Sequence, residues 1–304
     1  MAYTEVSFDD ASEIIRSTNL ANLVSLEKLS GGWANSNYKL SLDDNTHVVL
    51  KIWNEQTFDN VEYLLSITSY LSNNGIPTPS PIKFDNGDYI LMKNDLPWTL
   101  IPFIEGTWLN PNQSSLYSLG KLQANLHLIN PPNILENKFS MGYDLFEKLF
   151  AIADERNQWT DFLLMLKSES VRLKKNIGNL PRGVIHGDLF PDNMIANDNE
   201  VISLLDFEEV CYGILSFDLM MTFVGCCWDN GEPIPERWNA LLSGYQSVRK
   251  LNSDEVNSLS DLHRLATLSI AAWRYWQFVI NIPNTEHTNR YLEMTDRLEK
   301  KLPF

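Results

Sequence analysis

Cysteine, basic residues and long apolar runs are all scarce in this chain, and each shortage excludes a class of protein. Three cysteines, at Cys211, Cys226 and Cys227, do not form the pattern of a disulfide framework or a zinc site. The N-terminus lacks a basic segment followed by an apolar run, so no signal peptide is expected. The most apolar stretch, Leu219–Trp228, covers about half of a membrane span. These features predict a cytoplasmic protein with reduced, buried thiols.

The shortage of positive charge restricts the partners. Lys and Arg number 24 against 39 Asp and Glu, which gives a formal net charge of −15. Such a surface repels nucleic acid and anionic membranes, so neither is an expected partner. ATP is also an anion, and a nucleotide site here would need a local Lys, backbone N–H groups and a metal ion. With 304 residues, 44% of them hydrophobic, the chain is long enough for two domains.

Strand-like and helix-like patterns occupy different parts of the chain. The first part is predicted to hold a helix at 7–19, strands at 26–29, 36–42 and 46–53, a helix at 59–73, and strands at 89–93 and 98–104. Beyond Gly106 helices dominate, at roughly 112–129, 142–152, 156–176, 216–228, 234–248, 254–281 and 285–300, with one strand pair at 193–206. This order predicts an α+β protein of protein-kinase-like, two-lobed fold. Its N-terminal lobe, residues 1–104, carries a five-stranded antiparallel sheet, a hinge covers about 101–107, and residues 107–304 form a mainly helical lobe.

The segment His186–Asn193, with the sequence HGDLFPDN, carries the strongest chemical pattern. An apolar strand delivers His186 and Asp188, and Asn193 follows five positions after Asp188. Phosphoryl transfer needs a carboxylate that accepts the proton of the substrate hydroxyl and an amide oxygen on the metal, and this spacing supplies both. Asp206 then follows an apolar strand, where its carboxylate suits Mg²⁺. A lone His-Gly-Asp would more often be a polar turn, but the combination with Asn193 and Asp206 favours catalysis.

Two upstream features fit a nucleotide site. Lys51 closes the apolar strand Val48–Leu50, where a kinase Lys would hold the α- and β-phosphates, and Glu62 on the next helix is its expected partner. The turn before this strand contains Gly31 and Gly32, which permit close approach to phosphate. Two glycines between strands are usually a hairpin turn, so this turn gains meaning only from its place before Lys51.

Several further segments resemble one known superfamily. They are Ala34–Tyr38, Gly75–Pro81, Ile101–Gly106, Leu119-Gly120 with Leu126-His127, His186–Asn193, and Asp206-Phe207 followed by Phe217–Leu219. Together they cover residues 25–230 and resemble the aminoglycoside phosphotransferase and choline kinase superfamily. Within it, the chain is most similar to the bacterial homoserine kinases of protein-kinase-like fold.

The resemblance implies a role for each matched residue. Asp188 corresponds to the catalytic base, Asn193 and Asp206 to the metal ligands, and Lys51 with Glu62 to the phosphate-binding pair. The nucleotide site would also include Gly31, Gly32, Asn35, Ser36 and the hinge residues Pro102, Phe103 and Ile104, whose backbone would hold adenine. Asp218 and His186 are expected to brace the catalytic loop, and His127 to be a satisfied helix histidine. ATP and Mg²⁺ are the implied cofactors.

The acceptor is open among several alternatives. Candidate substrate residues are Glu208, Trp228, Asp229, Trp273 and Arg274. Arg274 would hold the carboxylate of an amino acid such as L-homoserine in a bidentate fork. If the tryptophans formed a cation cage instead, a choline- or ethanolamine-type amino alcohol would fit, and an aminoglycoside is a further candidate. Aromatic core packing is the favoured explanation of the tryptophans, and a surface or structural role explains Arg274 as well as substrate binding does. A catalytically silent nucleotide-binding protein is the alternative of a different class.

Overall fold

The computed structural model describes residues 3–29 and 34–304, which divide into two compact units. The first unit is Met1–Thr107 with Ser203–Leu205, and the second is Trp108–Ile202 with Asp206–Phe304. Within the described ranges no helix has both the length and the apolar character that crossing a membrane requires.

The first unit is built on a five-stranded antiparallel sheet, as the alternating sequence predicts. Its strands, in the spatial order β1-β2-β3-β5-β4, are β1 (Leu23–Lys28), β2 (Ser36–Leu42), β3 (His47–Ile52), β4 (Leu91–Lys93) and β5 (Leu96–Pro102). Alternate residues of β2 and β3 are buried, because side chains on a strand point to opposite faces. One buried row runs across the sheet through Tyr38, Leu50 and Leu100, which are register partners.

Two helices belong to this unit, α1 (Phe8–Arg16) and α2 (Phe58–Asn73). Ser7 caps α1 by accepting from the Asp10 backbone N–H, while the Asp10 side chain accepts from the Ser7 N–H. The apolar face of α1, with Ile14 and Ile15, joins the buried cluster around Tyr38 and Leu50 on one side of the sheet. The predicted helix before the first strand is therefore confirmed as part of the core of this unit.

The second unit is mainly helical. Its helices are α3 (Gln113–His127), α4 (Tyr143–Arg156), α5 (Asp161–Asn176), α6 (Leu215–Cys226), α7 (Pro235–Gln246), α8 (Ser253–Tyr275) and α9 (Arg290–Thr295). The strands β7 (Arg182–Ile185), β8 (Met194–Asn197), β10 (Cys211–Ile214), β11 (Trp228–Asp229) and β12 (Glu232–Pro233) lie between them. The strands β6 (Thr107–Trp108) and β9 (Glu200–Leu204) each include residues assigned to both units. The strand pair expected at 193–206 is confirmed by β8 and β9.

Several elements of the second unit differ from the sequence prediction. The helix predicted at 254–281 is α-helical only to Tyr275 and continues as a π-helix over Trp276–Asn281. Of the helix predicted at 285–300, only Arg290–Thr295 is formed. The strand β10, which pairs antiparallel with β7, was not predicted. Its four residues carry too little pattern of their own, and their strand conformation depends on the distant partner.

Candidate active site

The predicted catalytic loop, His186–Asn193, follows directly from the end of β7. Asp188 is half-buried, and Asn193 closes a short 3₁₀ turn, Pro191–Asn193, after it. Asn193 Nδ2 donates to the Asp188 backbone oxygen at 2.8 Å and to Asp188 Oδ2 at 2.9 Å. The amide therefore fixes the orientation of the carboxylate, and its oxygen is left for another ligand.

The buried carboxylate of Asp218 on α6 holds the other side of this loop. Its Oδ1 accepts from the Gly187 backbone N–H at 2.7 Å, and its Oδ2 accepts from Gln123 Nε2 and His127 Nε2, each at 2.9 Å. Burial alone would raise the pKa of Asp218, but the hydrogen bonds from His127 and Gln123 outweigh it, and the pKa lies below its usual value. The prediction that Asp218 braces the catalytic loop is confirmed.

Both histidines near the loop have structural partners, as predicted. An ionised carboxylate is an acceptor only, so His127 donates from Nε2 to Asp218, and its Nδ1 accepts from the Tyr245 hydroxyl at 2.7 Å. His186 Nδ1 accepts from the Asp188 backbone N–H at 3.3 Å, and its ring lies 4.4 Å from that of Phe207 between centroids. Sequence reasoning missed Gln123 and Tyr245, because nothing local marks two helix residues as partners of a distant carboxylate.

Several carboxylates of the second unit influence the pKa of Asp188. Burial, reinforced by the negative charges of Asp206, Glu209 and Asp192, raises the pKa of Asp188 to about 8. Burial also raises the pKa of Glu209 to about 7, although both of its oxygens accept from Ser140 Oγ at 2.6 Å. A concentration of negative charge of this kind is stabilised by a cation.

The donor set around Asp188 fits a hard divalent cation. Among the described residues no group of three or more His, Cys, Asp and Glu forms a ready-made metal site. Mg²⁺ usually takes only one or two protein oxygens and fills its shell with water and phosphate oxygens. The amide oxygen of Asn193 and the exposed carboxylate of Asp206 suit that pattern. Asp206 has a left-handed backbone (φ 59°, ψ 63°) at the turn into the 3₁₀ helix Phe207–Glu209.

The predicted phosphate-binding pair lies in the first unit. Lys51 is on β3, between its register partners Asn37 on β2 and Thr99 on β5. Its Nζ is 3.9 Å from the centroid of the Trp53 ring, a cation–π contact that helps to orient the amine. Glu62 is exposed in the first half of α2, and its pairing with Lys51 stays a prediction.

The other predicted nucleotide-binding residues have mixed surroundings. Gly31 and Gly32 lie outside the described residues. Asn35 and Ser36 are buried, and Ser36 Oγ already accepts from the Thr4 N–H at 2.8 Å and from Asn54 Nδ2 at 2.9 Å. At the end of β5, Pro102, Phe103 and Ile104 are half-buried, and the Phe103 N–H donates to the His47 carbonyl at 3.1 Å. The roles of Asn35, Ser36 and the hinge residues stay predictions.

The predicted substrate residues of the second unit differ in burial and in the partners that they contact. Glu208 follows Asp206 in the acidic turn and is half-buried, whereas Asp229 is exposed at the end of β11. Trp228 is buried, with its ring stacked on His263 at 5.7 Å between centroids. Trp273 packs edge-on against Phe278. Arg274 uses Nη1 to donate to the Arg290 carbonyl and to Glu293 Oε2, both at 2.9 Å.

A cavity of about 600 Å³ lies elsewhere in this unit. Its walls include Ile185 of β7, Cys211 of β10, and the side chains of Phe139, Phe217 and Leu265. These are different residues from those predicted for the substrate, and the cavity is mainly apolar. The charged residues Glu136, Lys138, Asp144 and Arg182 also line it.

The catalytic loop, its buried brace and the five-stranded sheet together define a phosphotransferase with a kinase-like fold. The sequence matches the Phosphotransferase enzyme family over residues 25–251, and the chain belongs to that family. It is an enzyme that transfers a phosphoryl group to a hydroxyl of a small molecule.

Proteins with similar sequences include several homoserine kinases. The chain is 28% identical over 289 residues to a homoserine kinase of Sinorhizobium fredii, a match that covers 91% of this chain and 87% of that protein. A homoserine kinase of Nitrobacter hamburgensis is 27% identical over 289 residues, covering 92% of this chain and 87% of its own.

Solved structures show the same fold at low sequence identity. An amicoumacin kinase in complex with AMP-PNP, Ca²⁺ and amicoumacin superposes with a TM-score of 0.73 at 13% identity and covers 96% of this chain and 93% of its own. A microcompartment-associated aminopropanol kinase gives a TM-score of 0.71 at 16% identity, with coverages of 96% and 95%. A choline/ethanolamine kinase family protein from Mesorhizobium loti gives 0.72 at 14% identity, with the same coverages.

Proposed function

We propose that this protein is an ATP-dependent kinase that phosphorylates the side-chain hydroxyl of L-homoserine. The observation that carries the proposal is the catalytic loop, in which Asn193 fixes the Asp188 carboxylate and Asp218 fixes the backbone of Gly187. The homoserine kinases that match over about nine-tenths of the chain support the choice of acceptor.

Asp188 acts on the acceptor hydroxyl. Its carboxylate accepts a hydrogen bond from the hydroxyl, orients the oxygen towards the γ-phosphorus and takes the proton as the new P–O bond forms. The bond between the γ-phosphorus and the β,γ-bridging oxygen breaks in the same step, and ADP leaves. Asn193 maintains the carboxylate in position throughout, because it bonds both to the side chain and to the backbone of Asp188.

Asn193 and Asp206 would hold Mg²⁺ through their oxygens. When bound, the ion supplies charge neutralisation for the β- and γ-phosphates. Lys51 would contribute a positive charge to the α- and β-phosphates, and the backbone of Pro102–Ile104 would bind adenine. These assignments extend the family relationship to individual residues of this chain.

An amino alcohol is the second candidate acceptor. The acidic residues Glu208 and Glu209 follow the proposed metal ligand Asp206 closely, and a nearby carboxylate suits a substrate ammonium group. An amino alcohol and homoserine share that ammonium group. Only homoserine adds a carboxylate, and this second charge distinguishes the two proposals.

Measurement of ADP release tests the proposal. The purified enzyme is supplied with Mg-ATP and, in parallel, with L-homoserine, choline, ethanolamine and an aminoglycoside. We expect homoserine to give the highest kcat/KM. Asp188→Asn should lower turnover by roughly 10²–10⁴-fold, the usual worth of a positioned general base. The matched control is Asp198→Asn, an exposed carboxylate in the turn after β8.

Each outcome of the assay separates the alternatives. Turnover of choline without homoserine would replace the acceptor but keep the reaction. Near-normal turnover in Asp188→Asn would remove Asp188 as the base. Nucleotide binding without ADP release on any hydroxyl would identify a silent kinase-fold protein.

A further inference from the structure

Two side chains of the second unit that stack on one another each carry a buried hydrogen-bond donor without a partner among the described residues. Trp228 is 7% exposed, and its indole Nε1–H is buried without an acceptor in the described part of the chain. The Nε–H of Arg297 is likewise buried and unpaired among those residues. A buried donor without an acceptor is destabilising, so two in one place call for an explanation.

The two donors belong to one cluster. Arg297 stacks on Trp228, with its Cζ 4.9 Å from the centroid of the indole ring. Because Nε is bonded directly to Cζ, the unpaired Nε–H of Arg297 lies close to the indole ring that carries the unpaired Nε1–H. Neither an indole nor a guanidinium can accept a hydrogen bond. Their common ligand must therefore be an acceptor, and next to a guanidinium an anionic acceptor is favoured.

The charges around this cluster also favour an anion. Arg274 and Arg290 repel one another, Arg274 repels Arg297, and Glu293 is the carboxylate that acts on Arg274 and Arg297. Burial, with this repulsion, lowers the pKa of Arg297 to about 10. His263, stacked on Trp228, is held neutral because burial lowers its pKa to about 3. Arg297 is thus influenced by one further guanidinium, that of Arg274, and by one carboxylate, that of Glu293, in a chain whose net charge is −15.

The cluster is connected to the catalytic loop through the end of α6. Arg297 Nη1 donates to the Val224 carbonyl at 2.9 Å, and Trp228 follows α6 by two residues. At the same end of α6, the Cys226 thiol lies 3.8 Å from the carbonyl of Leu189, the residue after Asp188. Both side chains with unpaired donors are therefore attached to the C-terminal end of α6, which also contacts the catalytic loop.

We propose that Trp228 Nε1–H and Arg297 Nε–H bind the carboxylate of an amino-acid acceptor. This inference rests on the proposed function and deepens it, since it assigns carboxylate recognition to Arg297 and Trp228. Arg274, which the sequence suggested for this task, instead ties α8 to Glu293 and Arg290.

The kinetic test compares two acceptors that differ only by the carboxylate. L-Homoserine and 3-aminopropan-1-ol are assayed with the wild type, Trp228→Phe and Arg297→Lys. Phe keeps most of the ring but removes the N–H, and Lys keeps the charge but removes Nε–H. Trp238→Phe is the matched control, because Trp238 packs on Phe223 in the same aromatic cluster.

We expect Trp228→Phe and Arg297→Lys to raise the KM for homoserine by roughly ten- to a hundredfold, the worth of one hydrogen bond to a charged group. The KM for 3-aminopropan-1-ol should stay within about twofold of that of the wild type. If both variants change the homoserine KM no more than Trp238→Phe does, the two donors serve structure or a bridging water, and the inference is wrong.

A binding measurement separates this inference from the proposed function. L-2-Aminobutyrate is homoserine without the hydroxyl, so its calorimetric titration requires no turnover. Homoserine turnover with no effect in Trp228→Phe would overturn the carboxylate site alone. If homoserine is not phosphorylated but L-2-aminobutyrate binds and Trp228→Phe abolishes that binding, the acceptor is wrong and the site stands. Absence of both turnover and binding would overturn both.

Discussion

Replacement of Asp218 by Asn is the sharpest test of how the catalytic loop is held. The change keeps the shape of the side chain but removes its charge and one acceptor atom. In the wild type, Oδ2 accepts from Gln123 and His127, and Oδ1 accepts from the Gly187 N–H. In either orientation the new amide N–H₂ faces at least one donor.

The expected loss of unfolding free energy follows from the hydrogen bonds that no longer have a charged acceptor. Gln123 Oε1 is buried and unpaired among the described residues, so rotation of the Gln123 amide can offer the new N–H₂ an acceptor. His127 has no comparable remedy without disturbing its bond to Tyr245. Hydrogen bonds to a charged group are worth about 1.5–3 kcal/mol and neutral ones about 1, so we expect a loss of about 2–4 kcal/mol. Most domains would remain folded after such a loss.

Urea unfolding followed by circular dichroism measures the free energy of unfolding. The matched control is Asp261→Asn, which also removes a hydrogen-bonded carboxylate (2.7 Å to Arg172) but at a partly exposed site, where about 1 kcal/mol or less is expected. The depressed pKa of Asp218 means that its advantage is complete above about pH 4 and is lost as the pH falls through the folded-state value. Turnover should fall at least about tenfold, because Asp188 loses its support. A cost no larger than that of the control would refute the bracing role.

Three further predictions concern other parts of the chain. Lys51→Ala should weaken productive ATP binding more than Glu62→Ala does. If the two side chains pair, the double variant should lose less ATP affinity than the sum of the losses in the two single variants. Gly120→Ala would push a methyl group into the backbone of α7 and should cost about 1–3 kcal/mol in urea unfolding, whereas Gly178→Ala has open space and should cost almost nothing. Burial lowers the pKa of His263 to about 3, so the stability that the neutral imidazole provides is complete above pH 6.5 and is lost as the pH falls. From pH 7 to 5 the free energy of unfolding of the wild type should therefore fall by about 2 kcal/mol more than that of His263→Gln. Equal losses in the two proteins would disprove this prediction.

The elements that could be predicted from the sequence are those whose pattern is local. The strand predicted at 36–42 has those bounds in the structure, because its alternate residues are buried on one face. The helix before it is marked by the Ser7 cap and by Asp10 three residues later. The strand β10 could not be found in this way, because its pairing with β7 joins residues about 30 positions apart.

In the candidate site, too, contacts within one loop could be predicted from the sequence, whereas contacts between distant residues could not. The contact between Asp188 and Asn193 is within one short loop, and the spacing of five residues indicates it directly. The choice between Arg274 and Arg297 depends on how α8 and the chain after α9 turn relative to Trp228. A helix position states which neighbours share a face, but it does not state which distant residue that face meets.

The scarcity of positive charge in this chain bears on how the proposed site would recognise the carboxylate of its acceptor. With 24 basic against 39 acidic residues, long-range attraction cannot bring an anionic ligand to the surface. Affinity must then come from short-range, directed groups, and the clearest unpaired ones described are the N–H groups of Trp228 and Arg297. Short-range recognition depends weakly on ionic strength, because buried pairs are screened much less than exposed ones. Homoserine KM should therefore change little between low and physiological salt, and a steep rise with salt would show that surface charges recognise the acceptor instead.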